Sequence, residues 1–321
     1  MNTNYLFRNE LIIILIILIA LYKYYLYYNK HIEYFGQIVK YSLQPDFTRW
    51  ILCDKYMAKR YAEINGFKIP KTYQIVKYPH QINDISNTVS NFVIKPTDLC
   101  DSCGVYLIRD LYDIKNSRDY RLNLIKNELQ NIRCKIGDEY YMHEKMYNGI
   151  IPYSGYIVEE LLLDGGEIPS DYKCYVFGGK LYYTAVTYDR KVIKNKQTFK
   201  SVWMDREWKP VRFKMIKKGY KYEKLSKPKG YDNLIRLVEN MGKVLKRHCR
   251  IDVYLINGEV YLGEYTFFCG AFLHTFYCNY KLGKIWLKNK DDYKYEDKRL
   301  KDLVPDFYNK PYWIKLNYKK L

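Results

Sequence analysis

The stretch from Cys249 to Thr266, CRIDVYLINGEVYLGEYT, holds a guanidinium and two carboxylates at a spacing that suits cation and oxyanion chemistry. Alternating apolar residues around Asn257-Gly258 predict a hairpin, with strands from Arg250 to Ile256 and from Glu259 to Phe267. Side chains alternate along a strand, so Arg250 and Asp252 share a face, and Glu264 can lie near the same edge on the return strand. Asp252 and Glu264 would suit a hard cation such as Mg²⁺, with Arg250 beside it for an anionic oxygen. The same residues also read as a surface hairpin with an ordinary ion pair, which contributes little.

Three further sites carry chemistry. Lys95 ends the apolar strand NFVIK and precedes Pro96 and a polar loop that closes at Gly104. An ammonium leaving an apolar strand needs a partner. A phosphate would serve, with Ser102, Cys103 and Gly104 offering backbone N–H groups to the same anion; an edge-strand lysine in solvent is the alternative, and the loop is not a Walker A motif. Glu159 and Glu160 close the strand YIVEE and must face opposite ways, so one of them, with nearby amides, could hold the polar edge of an adenine or simply be solvated. Glu167, after Gly165-Gly166, could reach a ribose hydroxyl, and Lys173 on the following strand could reach the same place.

The order of these features resembles the ATP-grasp superfamily. The closing hairpin is similar to that of D-alanine–D-alanine ligases, where an R-x-D strand precedes an E-x-N strand. The pattern is closest to the TupA-like branch, associated with teichuronopeptide and surface-polysaccharide synthesis. Its DK, FV-x-K, D-Y-K and R-x-D…GE-x-TF motifs stand here as Asp54-Lys55, Phe92-Val93-Ile94-Lys95, Asp171-Tyr172-Lys173, Arg250-Ile251-Asp252 and Gly263-Glu264-Tyr265-Thr266-Phe267. The resemblance spans residues 45–285 and implies ATP and Mg²⁺ as cofactors. It implies that Lys55 and Lys95 face the nucleotide phosphates, with Glu159 or Glu160 and Leu161 around the adenine and Glu167 at the ribose. Asp252 and Glu264 would hold the metal, joined by Thr266 where many relatives have Asn; Arg250 would steady the transferred phosphoryl group and the acyl-phosphate oxyanion, and Lys173 would be the second catalytic residue. The implied activity is ATP-dependent carboxylate–amine ligation through an acyl phosphate in surface-glycan synthesis. A glycan kinase and a non-catalytic, membrane-anchored glycan-binding protein are the alternatives. The loop from Thr97 to Gly104 is poorer in glycine than in most relatives.

The elements that must position these residues describe an α+β protein. Helices are expected over Thr48–Asn65, Tyr120–Arg133 and Asn233–Arg247, strands over Asn91–Lys95, Val105–Arg109 and Tyr156–Glu160, and a second hairpin around Gly178-Gly179. Trp203 and Trp208 are expected to bracket a loop. The resemblance implies an ATP-grasp fold of two α+β subdomains clasping a nucleotide, preceded by one transmembrane helix. The expected divisions are an anchor at 1–30, a helical pre-grasp region at 31–90, a small subdomain at 91–163, a C-terminal subdomain at 164–285 with a basic insertion at 191–229, and a basic tail at 286–321. The anchor rests on the apolar run Leu11–Leu21, the interfacial tyrosines Tyr22–Tyr28, and the lack of a small-residue cleavage site. Lys23, Lys30, His31 and Lys40 on its C-terminal flank lean the remainder toward the cytosol, a single-pass topology.

Composition is that of a globular chain: 321 residues, 48% apolar and 28% charged. The net charge is +19, of which 14 Lys/Arg against three acids between Lys191 and Lys229 supply +11. With no nucleic-acid motif in that region, an anionic glycan, a lipid-linked sugar or a phospholipid surface is the better partner, together with an amino donor. Eight cysteines include one CxxC, Cys100 and Cys103, and no zinc-type spacing. That usage suits a reduced compartment.

Overall fold

The computed structural model describes residues 15–23, 47–99, 102–132, 155–193, 196–212, 214–216, 222–267, 274–289, 291–292 and 295–303. Residues 15–23 are helical and exposed. Among the described residues no helix is long and apolar enough to cross a membrane; the rest of the expected anchor lies outside them.

Two antiparallel sheets organise the chain. The first has six strands in the order β1 (Thr72–Val76), β6 (Tyr156–Glu160), β2 (Asn91–Pro96), β3 (Tyr106–Arg109), β4 (Tyr112–Asp113) and β5 (Arg118–Asp119). Phe92, Ile94, Tyr106, Ile108 and Val158 bury one face against Ile125 and Leu129 of the helical segment 122–132. Because β1 pairs with β6, this sheet draws on residues before the expected small-subdomain boundary at 91.

The second sheet runs β11 (Glu259–Thr266), β10 (Cys249–Ile256), β7 (Asp171–Phe177), β8 (Lys180–Ile193) and β9 (Lys196–Asp205). Alternation sorts its faces. Cys174, Val176, Ile251, Val253 and Leu262 point to one side, against helix α3 (Tyr231–Leu245). Tyr175, Phe177 and Trp203 point to the other, against helix α4 (Phe276–Lys288), which buries Cys278, Leu282 and Trp286 there. The start of the basic region is therefore sheet: Trp203 lies within β9, and the expected loop shrinks to the turn at Trp208.

The expected helix from Thr48 to Asn65 is two helices, α1 (Phe47–Cys53) and α2 (Lys55–Glu63). Asp54 breaks it by turning extended and accepting the Met57 N–H at 2.9 Å as the N-cap of α2. α2 packs against β11.

One contact fixes the hairpin on α3. Gly230, at φ +86, begins α3 with its Cα against the Asn257-Gly258 turn; a Cβ there would meet the Gly258 carbonyl oxygen at 2.3 Å. Neither backbone can yield cheaply, so Gly230→Ala should cost more than about 2 kcal/mol, visible as a lowered urea midpoint with an unchanged slope.

Candidate functional site

Two charged clusters arise, one on each sheet. On the first sheet, Lys95 and Glu159 project from the face opposite the apolar core. Glu159 is buried and accepts from Lys95 Nζ at 2.5 Å, and Lys59 Nζ lies 3.1 Å from its other oxygen. Lys59 comes from α2, is 1% exposed, and was not expected as a site residue. Lys55, one turn earlier on α2, hydrogen-bonds the Leu99 carbonyl, while its own N–H donates to Thr97 O at 2.8 Å. Lys115 donates to the Ser102 carbonyl at 2.5 Å. Two lysines thus hold the loop that follows Lys95, and Lys115 was likewise unforeseen.

Burial dominates the ionisation of Lys59, pushing it from 10.5 down to about 8, with Glu159 opposing and Lys95 and Lys55 adding to the fall. Burial would raise the Glu159 carboxyl, but Lys59 and Lys95 overcome it and hold it below its ordinary value. Two ammonium groups on one carboxylate, with Lys55 near Lys59, leave a surplus of positive charge that a polyanion would neutralise.

The remaining first-sheet expectations divide. Glu159 is engaged in ion pairs, and Glu160 points the other way, accepting the Lys71 N–H at 3.1 Å. Leu161 is buried beside them. Ser102 and Gly104 both adopt left-handed backbone, φ 58 and 65. Glu167 closes a tight turn with Asp164 through two backbone hydrogen bonds of 2.9 and 3.1 Å. Arg109 of β3 donates to the Gly166 carbonyl within that turn at 2.8 Å, joining the first sheet to the segment entering β7.

On the second sheet the expected residues converge. Arg250 donates to both oxygens of Asp252 at 2.7 and 2.6 Å and to Thr266 Oγ1 at 3.0 Å. Lys173 bridges Asp252 at 2.9 Å and Asp171 at 2.6 Å, and Arg190 reaches Asp171 at 2.8 Å. Glu264 sits directly across from Asp252, with its carboxylate 3.5 Å from both Arg250 and Thr266. Burial raises the Asp252 carboxyl, yet Arg250 and Lys173 hold it below its usual value. Burial would lower the Lys173 ammonium, but Asp252 and Asp171 raise it above its usual value.

A bulge brings Glu264 there. Val253 pairs with Leu262 and Asp252 with Glu264, leaving Gly263 as an extra residue. Strict alternation would put Leu262 and Glu264 on the same face; the bulge keeps Leu262 in the core and turns Glu264 toward Asp252. Glycine suits the extra position because a Cβ would stand 3.0 Å from the Asp252 carbonyl oxygen.

Beside Arg250 in register stands Tyr175, whose hydroxyl is 3.2 Å from Nε2 of buried His274. Burial, then Arg250, push His274 down to about 4, so its ring is neutral at physiological pH.

α2 connects the clusters: it supplies Lys59 to Glu159 on the first sheet and packs on β11, the strand of Glu264. Of the two antiparallel sheets, one carries the lysine cluster and the other the carboxylate pair, and the solved structures similar in shape include ligases. D-alanine–D-alanine ligase from Bacillus anthracis matches at 13% identity and TM-score 0.43, over 74% of this chain and 67% of that one. The same enzyme complexed with ATP matches at 15% and 0.36, over 68% and 54%, so this chain spans about half of its length. D-cycloserine synthetase DcsG matches at 13% and 0.40, over 76% and 72%. No curated protein matches the chain in sequence. The model of the TupA-like ATP-grasp family matches residues 37–285, and the chain belongs to that family.

Proposed function

We propose that this protein is an ATP- and Mg²⁺-dependent carboxylate–amine ligase acting on a surface glycan or its lipid-linked precursor, held at the membrane by its N-terminal apolar segment with the remainder in the cytosol. The observation that carries the reading is α2, which ties a lysine-rich polyanion cluster to the strand bearing a carboxylate pair. Lys95, with Lys55 and Lys59 behind it, would receive the nucleotide phosphates. Leu161 and the turn at Glu167 would lie along the nucleoside.

The carboxylate pair fits Mg²⁺ by its chemistry: hard oxygen donors directly opposite one another, Glu264 with its side chain 40% exposed, and Thr266 adjoining. Among the described residues no group of three or more acidic, His or Cys side chains gathers for a metal; Mg²⁺ typically takes one or two carboxylates and completes its shell with phosphate and water. When bound, the metal would neutralise phosphate charge. Asp252 and Glu264 would hold it, and Arg250, loosened from Asp252, would face the oxygen that accumulates charge. Lys173, tied to Asp171 and Asp252, keeps that carboxylate ionised and aimed. The acceptor carboxylate oxygen would attack the terminal phosphorus as ADP leaves, and an amine nitrogen would then displace inorganic phosphate from the acyl carbon.

The test is nucleotide turnover by the full chain in detergent, with candidate uronate acceptors and amino acids. ADP released only when both are present supports the proposal. AMP as product, or no turnover with any pair, overturns it; a stable phosphorylated sugar would assign a glycan kinase instead.

A further inference from the structure

The outer face of α4 is chemically unlike an ordinary solvated helix face. Phe276, Tyr277 and Leu287 are 56, 44 and 44% exposed along it. Lys281, Lys284 and Lys288 lie between and beyond them, and the helix, FYCNYKLGKIWLK, contains no acid. Lys281 lies over the Tyr277 ring at 5.4 Å and Lys284 over the Tyr280 ring at 4.5 Å. The basic region extends the same surface. Thr275 donates through Oγ1 to the Lys214 carbonyl at 2.7 Å and through its N–H to the Met215 carbonyl at 3.0 Å. These bonds bring the exposed Arg212 and Lys214 to the start of α4.

Apolar tips and interleaved lysines on one helix are the two contributions that bind an amphipathic helix to an interface: burial of rings and alkyl groups at headgroup depth, and attraction to lipid phosphates. We propose that the outer face of α4 docks on the surface of an anionic phospholipid bilayer. Charge argues against a second copy, because two such faces would set lysine against lysine. The exposed Leu287 argues against nucleic acid, which offers phosphates and ring stacking but no partner for an aliphatic tip. α4 covers the face of the second sheet from which Arg250, Asp252 and Glu264 also project, so docking would set those residues beside the bilayer. The docking surface is independent of the ligase proposal and of the N-terminal segment.

The test uses the full chain with vesicles of phosphatidylcholine and phosphatidylglycerol, and Phe276→Trp as reporter. The added emission should be quenched when the acyl chains carry bromine near the headgroup, and Leu287→Trp should behave alike at the other end of the helix. Converting Lys281, Lys284 and Lys288 together to Gln should weaken docking about a hundredfold, as should vesicles of phosphatidylcholine alone. Emission indifferent to bromine overturns the proposal. So does quenching that persists without anionic lipid, and so does emission that tracks protein concentration instead, which would assign the face to self-association.

Discussion

Replacing Lys59 by methionine should destabilise the protein by about 3 kcal/mol, since removing one partner of a buried ion pair leaves its charge uncompensated. Glu159 would keep only Lys95, at a position where its side chain is 4% exposed. Affinity for ATP, and for inorganic tripolyphosphate, should fall with it. Lys59→Arg separates charge from fold, because a guanidinium can face Glu159 and does not titrate in the accessible range. The pH dependence carries the sharper signature. Lys59 has its proton affinity lowered to about 8 in the folded protein, against 10.5 for a free lysine. Between those values the unfolded chain binds the extra proton, so stability rises with pH, by up to about 3 kcal/mol over the window. The neutral amine, 3.1 Å from Glu159 in the ion pair, remains a polar neighbour, which methionine is not. Anion affinity should move oppositely over the same window, because the cluster loses a positive charge. Lys59→Arg should flatten both trends relative to wild type. Identical pH profiles for stability and tripolyphosphate binding in the two proteins would remove Lys59 from the site.

That residue also shows where the sequence is legible and where it stops. The hairpin at Asn257-Gly258 could be read directly, since turn chemistry and alternation are local. So could Arg250 and Asp252 on one face, and Lys95 emerging from an apolar strand. Lys59 could not. On a helix of mixed polarity, KYMAKRYAE, it looks like any solvated lysine, and its burial depends on Glu159 arriving from a strand far along the chain. Glu264 is a subtler case. The motif placed it in the site, but its facing depends on the bulge at Gly263, and a single glycine in a strand does not announce which neighbour it turns. The basic region was less legible for another reason: alternate residues of β9 bury Val202, Met204 and Trp203 on its two faces, while Lys200, Lys209 and Lys214 fall outside the core. Asp54 belongs to the same class of error. A capping residue within a continuous helical pattern divides it only when the preceding turn packs separately.

The two carboxylates of the hairpin should respond to neutralisation in contrasting ways. Asp252 is buried, and both of its oxygens are taken by Arg250 and Lys173. Asp252→Asn should therefore cost about 3 kcal/mol of stability, because Arg250 and Lys173 lose their shared counter-charge. The wild-type contribution is present above the ordinary carboxylate value of 3.8 and is lost as pH falls through the lower folded value. Asp252→Asn should flatten that acid limb of the unfolding curve. Glu264 is the reverse. Its side chain is 40% exposed and its contacts are long, so Glu264→Gln should change stability by no more than about 0.5 kcal/mol. Turnover should nonetheless fall by about 10²- to 10³-fold, the usual loss for one electrostatic contact to a transferring group. Mn²⁺ binding in the presence of nucleotide, followed by electron paramagnetic resonance, supplies a readout that does not depend on finding the acceptor. Wild type should hold the ion, and Glu264→Gln should release it. Should Glu264→Gln bind Mn²⁺ as wild type does, the hairpin is an ion-pair network that stiffens the sheet, and the metal must be held elsewhere. Should Asp252→Asn instead leave stability unchanged, then Glu264 and Asp171 suffice to balance Arg250 and Lys173.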